Sequence, residues 1–296
     1  MSPRQLALLA TGVVAVAFSS ILIRLADAPA LSIAFYRNAI AAAVVLPLAL
    51  VRHRGELRSL SARDWSVAVL AGAFLAVHFA LWVPSLEYTS VAASTVLVTT
   101  QPVWVALIGG AVGERVSRRG LLGIALSLIG AVLISGGDLG LSPRAAFGDV
   151  LALLGAIMAA AYFLSGRSVR RRLSLVPYVA IAYATCAVLL AAVVGVAGEP
   201  FTGFPANVWL LFVLMAVIPQ FLGHTVFNYL LADVEASVVA IAVTGEPVGA
   251  TLLALAFFGE LPRWTAFVGG ALILGGIYVT ISAQARRRAV ELAPIE

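Results

Sequence analysis

The sequence predicts an all-α integral membrane protein: ten transmembrane helices arranged as two inverted five-helix repeats. Three observations carry that prediction. Hydrophobic residues make up 62% of the 296-residue chain and charged residues 11%, with a mean hydropathy of +1.05. A water-soluble domain of that size has no interior large enough to hide so much apolar surface. The apolar residues fall into about ten runs, each of the roughly 20 residues a helix needs to cross a bilayer. Finally, landmarks in the first half recur, in order, in the second.

The runs lie near 5–24, 30–51, 65–86, 90–112 and 119–136, then near 148–166, 175–197, 208–230, 236–258 and 263–284. The first follows Arg4 in the manner of a secretory signal, but it continues unbroken to Arg24, past the roughly 7–15 residues of a signal core. It is therefore read as the first span. Only Glu87-Tyr88-Thr89-Ser90 separates the third and fourth runs. No run shows the apolar alternation over about ten residues that marks a membrane β-strand. The segment around 137–147, with Gly136-Gly137 before it and Ser142-Pro143 within it, joins a first repeat at 5–136 to a second at 148–284.

Gly113-Glu114, Gly123 and Gly130 recur as Gly259-Glu260, Gly269 and Gly276, all displaced by 146 positions, as are His78 and His224. Gln101-Pro102 recurs as Glu246-Pro247 at a displacement of 145. An odd number of spans per copy makes the second copy enter the membrane from the opposite face. Inverted copies of this kind are characteristic of secondary transporters, whose site lies near the bilayer midplane between them.

Charge placement orients the chain. Every basic residue apart from the histidines is arginine. With the N-terminus inside, that side receives Arg4, then Arg52 to Arg63, Arg115 to Arg119, Arg167 to Arg172 and Arg286 to Arg288. The other side receives only Arg144 and Arg263, with Arg24 and Arg37 at or within helices. The asymmetry puts both termini in the cytoplasm. The sequence pI near 9.9 thus reflects orientation and contact with anionic headgroups in the lipid bilayer, and no nucleic-acid partner is expected.

Two runs carry a polar residue beside proline at mid-span, Thr99-Thr100-Gln101-Pro102 and Thr244-Gly245-Glu246-Pro247. Proline deletes a donor, so the carbonyls of Val98 and Val243 lose their usual partners. Such a defect is tolerated only where it is buried in protein or lines a cavity. Either the prolines merely kink their helices, or the breaks build a site; their occurrence in both copies favours the site. His78 and Trp82 stand one helical turn apart on the third span, and His224 and Asn228 repeat that spacing on the eighth, so each pair shares a face. Each histidine either faces a cavity or bonds to a neighbouring helix. Trp82 lines the cavity or anchors at the interface. Tyr162, Phe163 and Ser165 on the sixth span and Phe18, Ser19 and Ser20 on the first occupy related places. Arg37 is assigned a structural or gating role, and Glu114 and Glu260 an interfacial one.

The chain has no H-E-x-x-H, no Walker A loop and no cluster with metal-ligand spacing, so neither cofactor nor enzymatic activity is expected. Cys186 is the sole cysteine, which precludes an intramolecular disulfide.

Phe35-Tyr36-Arg37, the mid-helix Pro102 and Pro247, the Gly-Glu pairs at 113–114 and 259–260 and the glycine-rich last helix of each repeat together resemble the drug/metabolite transporter superfamily. The resemblance is to its EamA-type members over nearly the whole chain, and within them to YddG-type exporters of aromatic and other neutral amino acids. It implies a multi-pass protein of a bacterial cytoplasmic membrane, sufficient as a monomer, that moves a small-molecule substrate by alternating access. The expected substrate is a zwitterionic metabolite, bound by His78, Trp82, Thr99, Gln101, Tyr162, His224, Asn228 and Glu246, with Pro102, Pro247 and Gly245 as hinges. The alternative is a proton-coupled exporter of cationic or lipophilic drugs. An intramembrane enzyme using the two histidines and a non-transporting scaffold are the rivals from other classes.

Overall fold

The computed structural model describes residues 1–111, 116–135, 142–259 and 261–291, with side chains left out for 91–92, 111, 135 and 284–291. The Gly-Glu pairs expected at 113–114 and 259–260 therefore lie outside the described residues, apart from Gly259. The described chain is helical: α1 Pro3–Leu25, α2 Ala30–Arg52, a short α3 Arg54–Ser59, α4 Ala62–Tyr88, α5 Val91–Val98, α6 Gln101–Ala111 and α7 Arg118–Ser135. The second half runs α8 Pro143–Arg170, α9 Leu175–Ala197, α10 Ala206–Met215, a π-helical segment Ala216–Thr225, α11 Val226–Leu230, α12 Ala236–Val243, α13 Glu246–Phe258 and α14 Trp264–Glu291. Among the described residues nine helical stretches are long and apolar enough to cross a membrane. The 18-residue α7 packs along α14 as the tenth member of the bundle.

Local chemistry sets the ends. Ser61, Ser90 and Ser142 are N-caps whose hydroxyls accept the backbone N–H of Asp64, Ala93 and Ala145, satisfying donors that the first turn leaves unpaired. Pro3 and Pro143 occupy the first position of their helices, where the missing N–H costs nothing. α9 stops at Gly198 in the left-handed region, φ 71°, a conformation that glycine adopts without steric cost.

The repeats interlock. α8, the first helix of the second repeat, packs on α4, α5 and α6 of the first, while α1 packs on the π segment, α11, α12 and α13 of the second. α2 and α9 run side by side and are tied at both ends by related contacts. Glu56, just past the end of α2, accepts the backbone N–H and hydroxyl of Ser174 at the start of α9, at 2.7 and 2.5 Å. Glu199, just past the end of α9, accepts the backbone N–H and hydroxyl of Ser32 in the first turn of α2, at 2.9 and 3.2 Å. Each carboxylate meets unpaired donors at the positive end of a helix dipole. That reciprocity requires α2 and α9 to be antiparallel, as inversion demands.

Two elements depart from the sequence reading. The sixth span, expected to stop at 166, continues to Arg170. Arg167 donates to the carbonyls of Leu231 and Ala232 at 2.7 and 2.8 Å, and Arg170 Nε to that of Asn228 at 3.0 Å. With the C-terminal carbonyls of α11 as partners, both guanidiniums can be buried. The eighth span is not a uniform α-helix: Pro219 lies inside the wide-turned π segment, where its ring and missing N–H disturb the regular ladder.

Candidate functional site

The two broken spans meet at a central cavity. Residues 99–100 and 244–245 separate the half-helices, and Pro102 and Pro247 are each the second residue of the half that follows. The threonines repair part of the damage: Thr99 Oγ1 donates to the Val96 carbonyl, Thr100 Oγ1 to Leu97 and Thr244 Oγ1 to Ile241, at 2.9, 2.6 and 2.5 Å. Pro102 and Pro247 have no N–H to offer the carbonyls of Val98 and Val243, and both residues belong to the cavity wall.

The cavity is narrow in this arrangement, about 40 Å³ in volume. α1 contributes Ser19, α2 Arg37, α4 His78 and Trp82, and the first break Thr99 and Gln101. The second repeat contributes Tyr162 and Phe163 from α8, His224 from the π segment, Phe227 from α11 and Glu246 from the second break. A second, larger space of about 180 Å³, lined by Ser20, Arg24, Thr95, Pro247 and Thr251 among others, lies further along α1, away from the arginine-rich face. α12, on the arginine-rich side of the second break, is buried along its whole length, against α6, α7, α8 and α14. α13, on the other side, is partly exposed from Val248 onward. α12 is thus enclosed by neighbouring helices, whereas α13 keeps part of its surface on the outside of the bundle.

His78 and Trp82 do share a face, their rings stacked 5.8 Å apart at 11°. His78 Nδ1 lies 2.9 Å from the Gly155 carbonyl. A carbonyl only accepts, so Nδ1 carries the proton and Nε2 is left as an acceptor when the ring is neutral. Trp82 is buried and its Nε1 has no partner, nor has Nδ1 of His224. Gln101 and Glu246 are 4% and 6% exposed, and among the described residues neither side chain has a hydrogen bond or ion pair. Unsatisfied buried groups cost free energy, and those at this cavity are open to water or to a bound molecule.

Asn228 stands behind the cavity wall, bonded to the lining residue Tyr162 and not itself part of the lining. Its side-chain amide donates to the Tyr162 hydroxyl, its Oδ1 has no partner, and its backbone carbonyl accepts from Arg170 Nε. Gly245 serves close packing, since a Cβ there would lie 2.9 Å from Val13 Cγ1.

Arg37, assigned from sequence to structure or gating, stands in the cavity wall at 1% exposure. It donates from Nη1 to Ser19 Oγ at 2.7 Å and from Nε to Gln220 Oε1 at 2.8 Å. Gln220 escaped the sequence reading. The signal was present, because Pro219-Gln220 joins proline to an intramembrane amide as Gln101-Pro102 does, but no second copy drew attention to it. Val16, Ala159 and Phe227 also line the cavity, and nothing in their chemistry distinguishes them from other apolar residues.

A family model described as the EamA-like transporter family matches residues 4–136 and 146–282. Two proteins of Archaeoglobus fulgidus, each described as an uncharacterized transporter, are similar to the chain. One is 29% identical over 272 residues, covering 90% of this chain and 93% of the other; the second is 26% identical over 266 residues, covering 88% and 90%. A solved crystal structure superposes with a TM-score of 0.80 at 20% identity, covering 97% of this chain and 99% of its own, which is a likeness of fold. With the family model covering both halves of the sequence, the chain belongs to the EamA-like transporter family.

Proposed function

We propose that this transporter exports small zwitterionic metabolites, aromatic and other neutral amino acids above all, across a bacterial cytoplasmic membrane, in the manner of YddG-type exporters. The observation that carries the reading is the set of unpartnered buried groups around the central cavity. Glu246, Gln101 and Nε2 of His78 are acceptors for an ammonium group. Trp82 Nε1, the Gln101 amide and Arg37 are donors for a carboxylate. Tyr162, Phe163 and Phe227 supply apolar walls for a side chain. Arg37 and Glu246 give the lining one basic and one acidic side chain, which suits a net-neutral cargo.

In this proposal the repeats run 5–136 and 148–284, the arginine-rich face is cytoplasmic, and a monomer is the working unit. The packed α12 is the closed inner gate, and the looser α13 side opens outward. Exchange of the two arrangements, with bending at Pro102 and Pro247, gives alternating access. The test is counterflow in proteoliposomes containing only this chain. Neutral amino acids are expected to exchange and to compete with one another. Competition by quaternary ammonium compounds with none by amino acids would favour the drug-exporter reading instead.

A further inference from the structure

We infer that Arg37 is the carboxylate-recognition group of the central cavity and that Gln220 is the residue that positions it. The inference rests on the substrate-site reading above and specifies the chemistry at one end of that site. Arg37 is held from three directions: by Ser19 on α1, by Gln220 on the π segment of the other repeat, and by Phe79 on α4, whose ring centre lies 4.4 Å from the guanidinium carbon. A guanidinium has five N–H donors, and these bonds occupy one on Nε and one on Nη1. Among the described residues the other donors meet no acceptor and no carboxylate lies within ion-pair distance. Both hydrogens of Nη2 and one of Nη1 remain for a carboxylate, the group a guanidinium binds best.

A buried cation with no carboxylate in direct contact is costly, and a substrate carboxylate entering the cavity would supply that contact. Glu246 lines the same cavity yet forms no direct pair with Arg37. A direct pair would neutralise both and leave nothing for a zwitterion to bind. The anchoring of Arg37 by Ser19 and Gln220 keeps the two apart. Gln220 is itself fixed: its Nε2 donates to Asn38 Oδ1 at 3.2 Å, and Asn38 Nδ2 donates to the Ala34 carbonyl at 2.9 Å. The backbone carbonyl of Gln220 accepts from Thr225 Oγ1 at 3.1 Å. The amide oxygen is therefore turned toward Arg37 by a bonded chain that crosses between the repeats.

The experiment uses the full chain in proteoliposomes, with radiolabelled phenylalanine, leucine and threonine as counterflow probes. Each is challenged by its unlabelled self, its amide and its decarboxylated amine. The wild type is expected to take the free acid about ten- to a hundredfold better than either analogue, the loss produced by removing a charged hydrogen-bond partner. Arg37→Lys, which keeps the charge with fewer donors, and Gln220→Leu, which frees the guanidinium, are each expected to shrink that ratio several-fold. A purely structural role for either residue would lower all fluxes together and leave the ratio unchanged. Equal competition by acid and amide in the wild type overturns the inference while leaving amino-acid transport standing, as does an undiminished ratio in both variants. Absence of saturable counterflow for all three probes removes the underlying reading and this inference with it.

Discussion

Gly130 and Gly269 face each other where α7 crosses α14, each so close that a Cβ on either would lie 2.4 Å from the other's carbonyl oxygen. Gly123 and Gly276 repeat the relationship about two helical turns away, with a Cβ 2.6 and 2.5 Å from the opposing carbonyl. In a bilayer, lipid tails are as apolar as leucine, so helices associate through close packing more than through hydrophobicity. The glycines that mark the repeat in sequence are the ones that let the last helix of each copy touch.

Gly130→Ala and Gly269→Ala are therefore expected to destabilise by about 1–3 kcal/mol, the usual cost of overpacking. Gly275 on the same helix has nothing within 4 Å of a Cβ, so Gly275→Ala should be neutral or slightly stabilising, given alanine's higher helix propensity. Thermal unfolding of the detergent-solubilised protein measures both, and equal behaviour at the two kinds of site would contradict the packing account.

Glu56→Gln and Glu199→Gln are each expected to cost about 1–3 kcal/mol, as charged hydrogen bonds to a helix start are weakened. Burial pushes the Glu56 carboxyl up, but the bonds from the Ser174 hydroxyl and N–H and from His53 outweigh it, leaving it below its ordinary 4.5. A carboxyl more acidic when folded contributes fully above its unfolded value and loses that contribution as pH falls through the folded one. Stability of the wild type should thus decline below about pH 4.5, and Glu56→Gln should flatten the part of the slope owed to this group. An unchanged slope would remove Glu56 from the account.

Pro247→Ala returns an N–H that can reach the Val243 carbonyl and join α12 to α13 as one helix. Counterflow is expected to slow roughly tenfold, equivalent to about 1.4 kcal/mol on a barrier, with little change in substrate affinity. Stopped exchange assays separate rate from half-saturation; a pure affinity change would place Pro247 in binding and not in bending.

Glu246 is the sole acid in the central cavity wall among the described residues. Glu246→Gln is expected to retain counterflow at equal pH and to lose acceleration by an imposed pH gradient. Full response to the gradient in that variant would eliminate a proton-carrying role.

Much of the architecture was legible because the bilayer leaves few choices. A span needs about 20 apolar residues, a copied landmark reveals a copied unit, and a mid-span proline beside an amide or acid stands out against leucine and alanine. His78, Trp82, Thr99, Gln101, Tyr162, His224 and Glu246 could be placed near one another from those signals, and they do line one space. Asn228 could not be separated from them, since helical spacing fixes the direction of a side chain but not the neighbour that claims it.

Sequence by itself determined the helices, their breaks and their inverted duplication, since each is set by local apolarity, backbone chemistry and the parity of spans. Only tertiary structure decided that Arg37 meets Gln220 from 183 positions away, that Glu56 caps a helix beginning 118 positions later, and that Asn228 turns to Tyr162. These partnerships depend on which helix faces lie together once the two copies interlock. Interlocking is governed by shape at glycine-lined crossings and by the need of every buried polar group for a partner, conditions that no single stretch of chain contains.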